Sequence, residues 1–373
     1  MAIGEINYLI KLVRPDNKMD QQEQKIVELL KAVRMLISLV IVLLVALLLV
    51  LFISLYGNPF DKKISTPLPQ NEIQDSVTSK VKEEIFWSSP DPNLVKDVAL
   101  RAQIDYGKEL IAHTSRYLGP KGLVMQTTNG MNCQNCHLEA GGKIFGNNYS
   151  AVASTYPKFR SRSGAIEDIH KRVNDCLERS LNGKPLDTLS REMKAIKAYI
   201  TFLGTNVKKG EKPNGAGLKD LAFLNRAADP VKGNQVYMAK CITCHMIDGQ
   251  GQLSADGREY TYPPLWGKHS YNDGAGLFRV SNFAKYVKYN MPMGTIHTNP
   301  MLTDEEAWDV AAFINSQSRP HMNTPYDWPD ISKKPVDHPF GPYIDSFSEK
   351  QHKFGPFQPI LEAQKKSSQA IPK

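Results

Sequence analysis

The chain has 373 residues, 46 basic and 38 acidic side chains giving a net charge of +8, 41% hydrophobic residues and 23% charged ones. These proportions exclude a disordered, collagen-like or polytopic membrane chain, and the length fits about two or three domains. The modest positive excess suits anionic partners; no nucleic-acid partner is expected.

The first long feature is an uninterrupted apolar run at 35–56, MLISLVIVLLVALLLVLFISLY, long enough for one helical crossing of a bilayer. The long segment ahead of it and the lack of a small-x-small cleavage site argue against a signal peptide. Lys11, Arg14, Lys18, Lys25, Lys31 and Arg34 precede the run, while only Lys62 and Lys63 follow it closely. That asymmetry predicts a cytoplasmic N-terminal segment at 1–34 and a single transmembrane anchor at 35–56. The rest of the chain is then expected on the periplasmic side of a bacterial inner membrane. Residues 57–92 are polar, contain several prolines and read as a linker.

Two stretches share one pattern: Cys133-Gln134-Asn135-Cys136-His137 and Cys241-Ile242-Thr243-Cys244-His245. Cys-x-x-Cys-His is the attachment signature of c-type haem: two thiols add to the vinyl groups and the adjacent histidine is the proximal iron ligand. Two copies in one chain predict two covalently attached haem c groups rather than a redox dithiol or a zinc ribbon. The surroundings repeat as well. DYGKELI (105–111) and VKGNQVY (231–237) read as matching first helices, each with a glycine for close helix approach. SREMKAIKAYITFLG (190–204) and TDEEAWDVAAFI (303–314) read as matching closing helices. The first has the stripe Met193, Ile196, Ile200 and Leu203; the second has a Thr303/Glu306 capping box. The predicted fold is mainly α: two tandem cytochrome c-like domains, 93–206 and 207–320, behind the membrane helix, and an extended proline- and aromatic-rich tail over 321–373.

The sixth iron ligand is sought in the loop before each closing helix. In the second domain that loop reads Asn290-Met291-Pro292-Met293-Gly294, where Met291 is the favoured thioether ligand and Met293 the rival. The same position in the first domain holds Cys176, the one cysteine outside the haem motifs. A thiolate there would lower the potential of haem 1 below that of haem 2, so that electrons run downhill between them. His170 and Met193 are alternative distal ligands, and a small buried cysteine with no chemistry is the plain alternative. Arg172 and Arg179 flank Cys176, and Lys158, Arg160, Arg162 and Lys171 precede it; such cations favour thiolate.

With these residues in view, the chain from about residue 94 onward resembles the dihaem thiosulfate dehydrogenases, which form tetrathionate. The stretches that carry the resemblance are NGMNCQNCHLEAG, YPKFRSRSGAIEDIHKRVNDCLERSLNGK, YPPLWGKHSYNDGAG, KYNMPMG and LTDEEAWDVAAF. The resemblance implies His137 and Cys176 as the axial ligands of a catalytic haem 1, with Cys176 also the reactive group. It implies Arg162, Arg172 and Ser180 as substrate-pocket residues. For the electron-transferring haem 2 it implies His245 and Met291 as axial ligands. Some members carry a lysine just before that methionine; Asn290 stands there in this sequence. Thiosulfate and tetrathionate are then substrate and product, in either direction, and a soluble cytochrome c or a terminal oxidase is the electron acceptor. The alternative function is a non-enzymatic, membrane-anchored dihaem electron carrier, which needs no cationic pocket and no reactive thiolate.

Overall fold

The computed structural model describes residues 21–56 and 84–369. Of the expected cytoplasmic segment 1–34 and linker 57–92, residues 1–20 and 57–83 lie outside the described residues. The chain divides into two units, Met1–Val81 and Lys82–Lys373.

In the first unit, α1 (Gln21–Tyr56) is one helix. Its longest continuously described stretch of side chains, 28–45, begins with Glu28, Lys31 and Arg34 before the apolar run starts. Among the described residues no helix is long and apolar enough to cross a membrane. The expected transmembrane anchor at 35–56 is corrected accordingly, and the single-pass inner-membrane location goes with it.

The second unit contains two helical domains built to one plan. In the first, α2 (Val98–Ala112) starts at Asp97, whose carboxylate accepts from the Ala99 and Leu100 amides at 2.9 and 3.1 Å. The closing helix of this domain, α4 (Arg191–Leu203), starts at Ser190 and ends at Gly204. The two helices cross at Gly107, where a Cβ would lie 2.0 Å from the Ala195 carbonyl oxygen. Met193, Ile196, Ile200 and Leu203 are buried against Ile104, Leu110 and Ile111 of α2 and Leu177 of α3 (Ile169–Arg179). The second domain repeats the crossing with α5 (Pro230–Lys240) and α7 (Asp304–Ser316), at Gly233, where a Cβ would lie 1.9 Å from the Asp309 carbonyl oxygen. Both bonds of the Thr303/Glu306 capping box form, at 3.1 and 2.8 Å. Between them, α6 (Val280–Asn290) buries Phe283, Ala284 and Val287 against Ala307, Val310, Ala311 and Ile314 of α7.

The domains are joined by partly buried polar contacts. Tyr286 donates to the Asn135 carbonyl inside the first haem motif at 2.7 Å, and Asn290 donates to the Phe145 carbonyl at 3.1 Å. Glu259 accepts from Arg116 and Asn132, each at 3.2 Å. The tail departs from the extended chain expected at 321–373. It closes in two helices, α8 (Glu349–Phe354) and α9 (Gln358–Gln369), because Phe357 and Ile360 bury in the second domain's core. Asp337 of the tail accepts from Arg279 and Ser281.

Candidate active site around His137 and Cys176

In the first haem motif a short 3₁₀ turn, Cys133–Asn135, orients the two thiols and leads straight into His137. The His137 Nδ1 is engaged by the Asn147 carbonyl and the ring stacks on Tyr149, with centroids 4.4 Å apart. Fixing Nδ1 leaves Nε2 as the nitrogen available to a metal and sets the plane of the ring.

Helix α3 supplies the opposite wall. Arg172, Cys176 and Ser180 recur every fourth residue, so they line one face of α3 and its C-cap, Ser180. The Cys176 thiol lies close enough to the His137 imidazole for the ring to favour its thiolate. Burial pushes the Cys176 thiol up, but the Arg172 guanidinium, His137 and Arg162 together outweigh it and bring the thiol down to about 6. Burial instead pushes Cys133 and Cys136 up to about 12 and Cys241 up to about 11. The thiolate in turn raises the pKa of Arg172 further, keeping it charged.

Arg162 comes from the turn between β1 (Lys158–Arg160) and β2 (Ala165–Glu167). It is held by Asp175 at 3.4 Å, a carboxylate that also accepts from Lys171 at 2.5 Å. The structure thus gathers Arg162, Arg172, Cys176 and His137 in one place. Arg179 is drawn elsewhere: both terminal nitrogens pair with Asp327 at 2.8 Å. Of the alternative distal residues, His170 pairs with Asp168 at 2.8 Å and Met193 is buried in the helix core. Sequence reasoning missed Asp175, Tyr149 and Glu167. Only Asp175, adjacent to Cys176, carried a signal.

In the second domain, a largely apolar cavity of about 380 Å³ is walled by Cys241, Cys244, His245, Pro263 and Met291, a size usual for small-molecule and cofactor sites. His245 Nδ1 bonds the Pro263 carbonyl at 2.9 Å, again leaving Nε2 free to ligate. Burial lowers the His245 pKa, favouring the neutral ligand form. Met291 is the C-cap of α6 and partly buried, whereas Met293 is 72% exposed. Asn290, in the position of the family's lysine, is buried and donates to the Tyr286 and Phe145 carbonyls, which anchors it as a structural residue. Asn135 and Cys136 of the first motif, with Asn132 just before it, also wall this cavity, so the two haem-binding loops adjoin. Thiol pairs and adjacent histidines held through Nδ1, each with a sulfur side chain nearby, are a donor set that fits c-type haem.

Fold and donors together define a c-type cytochrome with two covalently bound haem c groups. A family profile described as SoxA/TsdA, cytochrome c domain, matches residues 124–208, and one described as cytochrome c matches residues 230–318. The chain is 36% identical over 240 residues to a thiosulfate dehydrogenase of Allochromatium vinosum, covering 63% of this chain and 85% of that protein. It is 34% identical over 250 residues to one of Stutzerimonas stutzeri, covering 66% and 78%. A solved thiosulfate dehydrogenase (TsdBA) of Marichromatium purpuratum, in its as-isolated form, superposes with a TM-score of 0.58 at 30% identity. The match covers 63% of this chain and 50% of that longer one. The chain belongs to the thiosulfate dehydrogenase family.

Proposed function

We propose that this enzyme joins two thiosulfates into tetrathionate at Cys176, and that residues 93–206 form the catalytic domain and 207–320 the electron-transfer domain. The observation that carries this reading is the Cys176 thiol set against His137 between Arg172 and Arg162. When bound, the haems accept the two electrons singly and relay them outward. His137 and Cys176 would hold haem 1, and His245 and Met291 would hold haem 2.

Bringing two dianions within ~6 Å at an effective dielectric near 20 costs roughly 10 kcal/mol. Arg162 and Arg172 offset this by offering fork-shaped hydrogen bonds to the sulfonate oxygens, while Ser180, one turn beyond Cys176, adds a hydroxyl donor. The Cys176 thiolate bonds to the outer sulfur of one thiosulfate, forming Cys–S–S–SO₃⁻ as two electrons leave. The outer sulfur of a second thiosulfate attacks the adduct's thiosulfate sulfur, so the bond to Cys176 breaks. Tetrathionate departs and the thiolate returns. Charge balances in both steps, and the second is a thiol–disulfide exchange that runs in either direction. The acceptor is assigned as a soluble cytochrome c or the haem domain of a terminal oxidase.

The test is Cys176→Gly. Thiosulfate oxidation should fall to background while both haems remain attached; substantial turnover in that variant overturns the proposal.

A further inference from the structure

Glu167 is a buried acid that the reaction above does not use. Its side chain is 2% exposed, and neither carboxylate oxygen accepts a hydrogen bond among the described residues. It ends β2, directly across the hairpin from Lys158. Its nearest charge is the Arg160 guanidinium, 3.9 Å away, and its field also reaches Arg172 and Tyr156. Asp175, equally buried, makes the contrast: it accepts hydrogen bonds from both Lys171 and Arg162.

A buried carboxylate without donors has lost its hydration and recovered nothing by hydrogen bonding. The cations that face it are Lys158 across the hairpin, Arg160 at 3.9 Å and Arg172, whose charge Glu167 favours. Of these, Arg172 is one of the two arginines proposed to receive thiosulfate, so Glu167 and a bound dianion draw on the same positive charge. Each weakens the hold on the other. The reaction makes that antagonism useful: four negative charges enter as two thiosulfates, two leave as electrons and only two remain on tetrathionate. A cluster cationic enough to gather the reactants would grip the product dianion and stall.

We propose that Glu167 is a positioning residue that, acting through Arg160 and Arg172, limits the pocket's affinity for dianions and so sets the release of tetrathionate. The inference rests on the thiosulfate reading of this site.

The experiment uses the full dihaem protein with Glu167→Gln and Glu167→Asp. Calorimetry with sulfate, an unreactive dianion, measures affinity without turnover, and product inhibition by tetrathionate measures release. E167Q should bind sulfate and tetrathionate about tenfold more tightly, with kcat and KM falling together, while E167D stays near the native values. Affinity that is unchanged or weaker in E167Q, with loss only of thermal stability, overturns the proposal and leaves Glu167 a structural residue. Should E167Q not retain both haems, Glu167→Ala removes the same charge and is read by the same criteria. A native protein that binds sulfate but does not oxidise thiosulfate overturns the underlying reading instead, so the two failures are distinct.

Discussion

Arg179 donates from both terminal nitrogens to Asp327, each at 2.8 Å, and so clamps the C-terminal tail onto the helix that carries Cys176. The next residue continues the clamp: the Trp328 amide donates to the Arg162 carbonyl at 2.6 Å. One short piece of tail therefore fixes both the helix of the thiol and the turn of a pocket arginine. Asp327→Ala leaves the largely buried Arg179 charge uncompensated and should cost about 2–4 kcal/mol. Thermal unfolding measures that loss, and thiosulfate turnover should fall with it because Arg162 loses its register.

Arg172 carries the largest favourable influence on the Cys176 thiolate. Arg172→Gln should lower kcat/KM by about 100-fold, the usual loss on removing a positioned donor at a developing charge. Arg172→Lys should recover only part of it, since an ammonium lacks the planar fork. Steady-state kinetics on the three proteins checks the order.

Met291 and Met293 separate cleanly by exposure. Met291→Leu should lower the potential of haem 2 by removing a thioether, and Met293→Leu should leave it unchanged. A redox titration that resolves the two haems decides between them.

The helix crossings depend on two glycines. With a Cβ only 2.0 or 1.9 Å from a carbonyl oxygen of the facing helix, Gly107→Ala or Gly233→Ala forces the pair apart. Each should destabilise its domain by about 3 kcal/mol, seen as an earlier unfolding transition.

The tail also carries an acid-sensitive group. Burial pushes His338 down to about 4 from the usual 6.5. The native state therefore favours the neutral ring, and its contribution is complete above pH 6.5. That contribution drains away as pH falls from 6.5 to about 4, up to about 3 kcal/mol in all. Chemical denaturation across this range should show the slope, and His338→Gln should flatten it.

What was legible in the sequence was local. The haem motifs, the Thr303/Glu306 cap and the stripe of α4 each depend on residues within a few turns, and each stands in the structure where its spacing predicted. The apolar run at 35–56 was equally conspicuous, but among the described residues its helix is not long and apolar enough to cross a membrane. The tail's helices were hidden because Phe357 and Ile360 are anchored by the second domain's core, far away in sequence. Glu167 was hidden for a related reason. An acid in a strand reads as solvated surface until folding seals it beside Arg160 and Arg172.

The proposed chemistry requires that Cys176 and His137 both hold haem 1. Electron paramagnetic resonance of the oxidised protein tests this most directly, with Cys176→Gly alongside. The native spectrum should contain a low-spin signal of the thiolate type together with that of haem 2, and the variant should lose only the first. A native spectrum without a thiolate-type signal, or one that Cys176→Gly leaves unchanged, contradicts the account.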